Sequence, residues 1–248
     1  MVYQNFAYFY DELMSHAPYD RWIQFTKDII QENQLQNPSI VDLGCGTGEI
    51  TLGLRNQTNN LTGVDYSSEM LSVAMNKTLE ISNQINWIHQ DIRELEGFYN
   101  VDLIISYCDV INYLTTSSEV ENVFKRVYES LSEEGIFAFD VHSQQYTIDS
   151  LINQTFADVS DNTAYIWYCH EGDEIGAMEH EITFFVKNKD NTYEKMSEYH
   201  YQQVFSKEFY VEALRKAGFQ NIKLGQDFNL KNKNFTSETD RFFITAKK

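Results

Sequence analysis

Between Ser39 and Val141 short apolar runs alternate with amphipathic helical stretches, and few folds accept that pattern. Residues 39–43, 61–65, 85–89, 101–107 and 135–141 read as strands. Residues 48–55, 68–79 and 117–131 read as the intervening helices. In the last of these Val120, Val123, Phe124, Val127 and Leu131 form one stripe. In 68–79 the expected apolar face is Met70, Leu71, Ala74 and Leu79, with Ser67 as N-cap. The run 101–107 is nearly all apolar, which implies burial on both sheet faces and hence parallel pairing. Strand and helix in alternation predict a doubly wound α/β sheet. Two aromatic-rich helices, 3–16 and 19–34, precede it; Trp22, Ile23, Thr26, Ile29 and Ile30 recur at helical spacing in the second. Pro18 and Pro38 stand where a helix and a strand should begin.

From about residue 155 the apolar period falls to two. Tyr165, Trp167 and Cys169 alternate with Ala164, Ile166, Tyr168 and His170. Met178, His180, Ile182, Phe184 and Val186 share a face of the next strand, 187–191 reads as a turn, and 193–205 as a further strand. This is an antiparallel meander. Ser206 then caps a helix ending at Gly218, and strands near 219–227 and 240–247 complete the main sheet. The expected architecture is a mostly parallel seven-stranded sheet built from 37–142 and 206–248. An antiparallel β insert, 143–205, lies between its fifth strand and the last helix and covers the carboxyl edge.

Charge narrows the partners. The formal net charge is −18, and basic residues reach only the pairs Lys125-Arg126, Arg215-Lys216 and Lys247-Lys248. Bulk nucleic-acid binding needs clustered Lys and Arg, so neither it nor an anionic membrane is expected. Cys45, Cys108 and Cys169 are odd in number and form no C-x-x-C, which argues against a disulfide framework or zinc site and for a cytoplasmic protein. Residues 1–10 lack a signal-peptide pattern, and no apolar run approaches the roughly 18 residues of a membrane span. No His, Cys and Asp set has metal-ligand spacing, so no metal is expected.

The chemistry concentrates where the first strand meets the first helix, at Asp42-Leu43-Gly44-Cys45-Gly46-Thr47-Gly48. Glycine there lets a ligand approach the backbone, and the carboxyl edge of a parallel sheet is where ligands bind. A nicotinamide fingerprint needs its third glycine at position 49, which is Glu49. Glu49 also crowds a pyrophosphate, whereas an acidic loop suits a cationic sulfonium.

These residues resemble a class I S-adenosylmethionine-dependent methyltransferase. The resemblance implies that Val41 to Gly48, with Asp42, Gly44, Cys45, Gly46 and Gly48, cradles the methionine end of S-adenosylmethionine. It implies that Asp65 of Gly63-Val64-Asp65 accepts from the ribose hydroxyls, and that Asp91 and Ile92 of His89-Gln90-Asp91-Ile92 meet the adenine. Tyr66, Met70 and Cys108 join the cofactor-binding set, and Ser106 to Asp109 lines the transfer pocket. In many relatives an N-terminal tyrosine segment closes over the cofactor; residues 1–36 are then a helical lid and Tyr10 reaches the cofactor carboxylate. Asn5-Phe6-Ala7, Tyr10-Asp11, Pro18-Tyr19, Asp109 with Asn112-Tyr113-Leu114, and Glu198 with His200 resemble a small bacterial group called YqeM-like, which implies no particular acceptor.

Asp109, Tyr113 and His200 are the candidate catalytic residues. Glu198, His200 and Gln202 alternate onto one strand face, opposite Tyr199 and Tyr201. If that face closes the pocket, His200 serves as general base with Glu198 orienting it; otherwise the triple is solvated. Asp109 and Asn112 have the alternative of satisfied loop residues, and Asp91 that of a helix N-cap. The expected reaction is methyl transfer to a nitrogen or oxygen, on a small-molecule acceptor or less readily a protein. The rivals are a nicotinamide-dependent oxidoreductase, a non-catalytic S-adenosylmethionine-binding module and a transferase moving another group.

Overall fold

The computed structural model describes residues 10, 11, 14, 16–79, 85–188 and 190–248. The helix expected over 3–16 lies mostly outside the described residues. Helix α1 (Tyr19–Glu32) follows Pro18 and buries Trp22, Phe25, Thr26, Ile29 and Ile30. The main sheet then forms from β1 (Ile40–Leu43), β2 (Leu61–Asp65), β3 (Ile85–His89), β4 (Val101–Ser106) and β5 (Leu131–His142). Helices α2 (Glu49–Leu54), α3 (Ser68–Thr78) and α4 (Ser117–Ser130) connect them.

The insert follows as β6 (Gln154–Val159), β7 (Thr163–Glu171), β8 (Ala177–Lys187) and β9 (Tyr193–Gln203). Helix α5 (Lys207–Ala217), β10 (Gln220–Gln226) and β11 (Arg241–Lys247) return the chain to the main sheet. That sheet has seven strands in the order β3-β2-β1-β4-β5-β11-β10. The first five run parallel, and β11 pairs antiparallel with both β5 and β10. The expected doubly wound, mostly parallel sheet with an antiparallel insert is therefore the fold observed.

The apolar strand runs are explained by two cores, one on each face. Ile104, Phe137 and Phe139 pack with α4 and α5, while Leu103, Ile105, Ile136 and Ala138 pack with α1. Neighbouring strand residues point to opposite faces, so a sheet covered on both sides needs an apolar residue at every position. Helix starts follow their caps. Ser67 accepts from Met70 N, Ser206 from Phe209 N, and Thr116 with Glu119 closes a capping box. The expected face of α3 needs one correction. Leu71, Val73 and Ala74 are its buried residues, while Leu79 is the C-cap and stands 78% exposed. The helix ends one residue before Leu79 would continue the stripe.

The insert's strands form their own four-stranded antiparallel sheet in the order β6-β7-β8-β9. Leu151, Ile152, Cys169, Met178 and Val204 give it a small core. Its junction with the main sheet is polar. Asn112, fully buried, donates to Gln203 O at 3.3 Å and to Tyr210 Oη at 3.2 Å, and accepts from His142 N at 3.1 Å. Asn112 is thus the satisfied loop residue of the two alternatives, and it pins β9 to the end of β4.

Candidate active site

The glycine loop leaves β1 and folds across β2, with Gly44 N and Cys45 N both donating to Val64 O at 2.8 and 3.0 Å. Gly44, Gly46 and Gly48 all have positive φ, at 73°, 54° and 83°. The reasons for glycine differ. A Cβ on Gly44 would lie 2.4 Å from Val110, so protein packing forbids it. At Gly46 no atom lies within 4 Å of such a Cβ, so this glycine alone of the three opens the backbone to a ligand. Asp65 locks the loop by accepting from Gly46 N at 2.7 Å and from Ser67 N at 2.8 Å. Burial raises its pKa against these bonds.

Beneath the loop, Asp42 is 3% exposed and accepts from Thr51 Oγ1 at 2.6 Å. Burial pushes its carboxyl up to about 7, the Thr51 bond opposing. Burial likewise raises the Cys45 thiol, and Asp42 and Asp65 add to it. Lys77 holds the outer side, pairing with Glu49 at 2.7 Å and Asp11 at 2.5 Å. Asp11 also accepts from Thr47 Oγ1 at 2.5 Å, so the segment carrying Tyr10 is tied to the glycine loop. Burial raises the Tyr10 phenol, and Tyr19, Cys108, Tyr113 and Asp109 face it closely enough to add to the effect.

Along the β2–β3 edge, Tyr66 is 70% exposed and its carbonyl accepts from His89 Nε2 at 2.7 Å. Met70 is half-buried and Ile92 opens a short helical turn, Ile92–Glu94. Asp91 caps that turn through Arg93 N at 2.9 Å, and the Arg93 guanidinium reaches both its oxygens at 2.6–3.0 Å. The N-cap alternative is what Asp91 does here.

The opposite side is built where β4 ends. Cys108 and Asp109 are consecutive non-glycine residues with φ of 57° and 55°. Left-handed backbone at such residues costs of order 1–3 kcal/mol each and persists only where surroundings enforce it. Here Asp109 N donates to Asp140 Oδ1 at 3.0 Å, and Arg241 Nη2 donates to Asp109 Oδ1 at 2.9 Å. Arg241 Nη1 lies 3.2 Å from Asp140, and Trp22 Nε1 donates to Asp140 Oδ2 at 2.6 Å. Burial would raise the Asp109 carboxyl, but Arg241, His142 and Gln202 together hold it well below the usual carboxylate range. Burial wins at Asp140, whose pKa is raised, and lowers His142 to about 4.

The insert completes this side. Gln202 Nε2 donates to Asp109 Oδ2 at 2.9 Å, and Gln202 Oε1 lies 3.2 Å from His180 Nε2. Trp167 Nε1 donates to His180 Nδ1 at 2.9 Å, and burial lowers the pKa of that imidazole. Two positions along, His200 Nε2 lies 3.0 Å from Glu198 Oε2, and its Nδ1 lies 3.3 Å from Tyr113 Oη. The polar triple of β9 therefore faces the β4 end rather than solvent, while Tyr199 and Tyr201 stand 63% and 57% exposed.

Asp109, Tyr113 and His200 thus come together from two sheets. The sequence reading left out Arg241, Asp140 and His142, and had Trp22 only as part of the helical stripe of 19–34. One signal was present: Asp140 is the charged residue in the otherwise apolar run Ile136 to Val141. A charge in a buried strand needs a partner.

The comparisons agree with this geometry. A methyltransferase domain model matches residues 40–135. A Geobacillus sp. (strain WCH70) protein is 39% identical over 100% of both chains, and YqeM of Bacillus subtilis (strain 168) is 39% identical over 100% of this chain and 98% of its own; both carry methyltransferase names. A crystal structure of an S-adenosylmethionine-dependent methyltransferase from Clostridium acetobutylicum ATCC 824 superposes with a TM-score of 0.88 at 30% identity, covering 99% of this chain and 98% of that one. The fold is shared with KedS8, a sugar N-methyltransferase from Streptoalloteichus sp ATCC 53650, at a TM-score of 0.80, 16% identity and coverage of 96% and 91%. It is also shared with S-adenosylmethionine-bound CalS10, an amino pentose methyltransferase from Micromonospora echinaspora, at 0.75, 15%, 96% and 95%.

Strand order, glycine loop and relatives together define an S-adenosylmethionine-dependent methyltransferase, with S-adenosylmethionine as its cofactor. Within that class the chain belongs to the YqeM-like methyltransferase family.

Proposed function

We propose that this enzyme methylates a nitrogen or oxygen of a small molecule held between the end of β4 and the inner face of the insert. The observation that carries the reading is the pair of bonds joining the two sheets, Gln202 to Asp109 and His200 to Tyr113. They join polar side chains of both sheets to one another beside the loop that the fold uses for its cofactor, which supports an acceptor site at that junction. The sugar and amino pentose methyltransferases with this fold support an acceptor of that size.

On the cofactor side, Gly46 presents open backbone to the methionine end, with Asp42 and Cys45 beneath and Gly44 and Gly48 shaping the turn. Asp65 faces the ribose. Tyr66, Met70 and Ile92 border the adenine, and Asp91 reaches its amino group only by releasing Arg93. Tyr10 and Cys108 close the pocket near the carboxylate and the sulfur, and of the 1–36 lid expected from the sequence, α1 serves instead as core on one sheet face. When bound, S-adenosylmethionine supplies an activated methyl group with a good leaving group. The chain's task is then positioning and exclusion of water. Asp109, held ionised by Arg241, orients the acceptor, and Tyr113 and His200 handle its proton. The three free cysteines, Cys45, Cys108 and Cys169, support a cytoplasmic setting.

A crystal structure with S-adenosylhomocysteine tests the assignment. Its sulfur is expected to face Cys108, Asp109 and Tyr113. A sulfur out of reach of Asp109, Tyr113 and His200 together would refute the acceptor site.

A further inference from the structure

We propose that Tyr113, His200 and Glu198 form a proton relay, and that the acceptor is an amine arriving as its ammonium ion. This rests on the acceptor site proposed above and narrows its chemistry.

The bonding fixes the direction of the relay. Glu198 Oε2 lies 3.0 Å from His200 Nε2, and the carboxylate can only accept there, so Nε2 carries the proton of the neutral ring. His200 Nδ1 is then left as acceptor, and Tyr113 Oη, 3.3 Å away, donates to it. The two rings meet edge-on, at 74° with centroids 5.9 Å apart. Gln202 also bonds the Tyr113 oxygen, so the donated proton leaves one of its two lone pairs to take a hydrogen from an incoming N–H. Tyr113 is 43% exposed, whereas the side chains of Glu198 and His200 are 15% and 28% exposed. The outermost member of the chain is thus the one that meets the acceptor.

Other groups around His200 do not compete. From β8, His180 faces it, but both its nitrogens are engaged, by Trp167 and Gln202. Glu198 contacts it from β9 itself and Tyr113 from the β4 end; Asp109, also at that end, is taken up by Arg241 and Gln202.

Charge selects the acceptor. Among the described residues, Arg241 is the cation bonded to this cluster, set between Asp109 and Asp140, and Glu198 adds a third carboxylate. An anionic acceptor is repelled by such a site and an ammonium is drawn to it. An ammonium also suits the base, because an imidazole can remove its proton, whereas an alcohol holds its proton too tightly for that.

The balance is as follows. The ammonium gives one proton to the Tyr113 oxygen while the Tyr113 proton passes to His200 Nδ1, leaving a free amine and an imidazolium against Glu198. The amine nitrogen then forms its bond to the methyl carbon as the carbon–sulfur bond breaks. The products are the methylammonium, S-adenosylhomocysteine and a proton on His200 that is lost to solvent.

The test uses the full-length enzyme with S-adenosylmethionine and a dialysable bacterial metabolite extract as acceptor source, reading S-adenosylhomocysteine production. Half of the extract is first treated with an amine-selective N-hydroxysuccinimide acetate. Turnover with the untreated extract, abolished by acylation, supports the amine. Turnover that survives acylation overturns it while leaving a small-molecule acceptor standing. No turnover with untreated extract counts against the small-molecule reading itself and takes the relay with it. Tyr113→Phe and Glu198→Gln are expected to lose about 10²–10⁴-fold in turnover with S-adenosylhomocysteine affinity and melting temperature retained. Glu198→Asp, which keeps a carboxylate for His200 Nε2, is expected to recover part of the turnover that Glu198→Gln loses. Full turnover in Tyr113→Phe or Glu198→Gln overturns the relay, and an equal loss in Glu198→Asp and Glu198→Gln overturns the role of Glu198.

Discussion

Asp42→Asn should make the cofactor-free protein more stable and the cofactor site worse. The wild-type carboxyl is 3% exposed and sits under the glycine loop with the Thr51 hydroxyl as its bonded partner. Burial lifts its pKa from 3.8 to about 7. At about 1.36 kcal/mol per pH unit, keeping it ionised above pH 7 costs the fold about 4 kcal/mol. The folded carboxyl binds its proton more tightly than the unfolded one. Its contribution is therefore fully present below about pH 4 and is lost as pH rises through 7. Asparagine has the same shape and no proton to lose. Wild type and variant should melt alike near pH 4 and diverge up to pH 8. There the variant leads by as much as about 4 kcal/mol, or about 8–16 °C for a chain of this length. His142, lowered to about 4, titrates with the opposite sign in this window, but it is common to both proteins and cancels in the difference. Calorimetric titration with S-adenosylmethionine completes the assay. If the ionised form binds, wild-type affinity rises about ten-fold between pH 6 and 8, following an ionised fraction of about a tenth to about nine tenths. The variant stays flat and weak. Parallel melting curves, or a variant less stable at pH 8, would show that burial does not govern this carboxyl.

Arg241→Met leaves Asp109 and Asp140 without their shared cation and should cost about 3–5 kcal/mol in urea unfolding, part of it recovered by adding Asp140→Asn. Gly46→Ala adds a methyl facing open space, so its cost should stay near the roughly 1–2 kcal/mol of left-handed backbone while S-adenosylmethionine affinity drops at least about ten-fold. Gly44→Ala drives a methyl to 2.4 Å from Val110 and should lower the melting temperature further than Gly46→Ala does. Thr116→Ala opens the capping box at the start of α4 and should cost about 1 kcal/mol with the pH–rate profile unchanged.

Much of the fold is legible along the chain because its information is local. Strand periodicity, the caps Ser67 and Ser206, and the apolar runs of β4 and β5 each report on residues a few positions apart. A sheet buried on both faces leaves such runs little alternative. The glycine loop is legible too, since its residues are contiguous, and Asp65 follows one strand later. Errors occurred where local pattern met a boundary. Leu79 continues the α3 stripe in sequence, but the helix ends before it.

The acceptor side was legible only as a list of possible residues. Glu198, His200 and Gln202 share a strand face by period alone, but nothing along the chain says whether that face meets solvent or the β4 end. The choice is made by bonds that span 87 residues from Tyr113 to His200, 93 from Asp109 to Gln202 and 132 from Asp109 to Arg241. Such partners are set by how the two sheets are joined, because a buried charge is satisfied by whatever donor the packing brings to it. The sequence by itself determined the doubly wound sheet and the cofactor loop. Tertiary structure alone decided that Arg241 and Asp140 hold Asp109, and that Glu198, His200 and Tyr113 form one chain of hydrogen bonds.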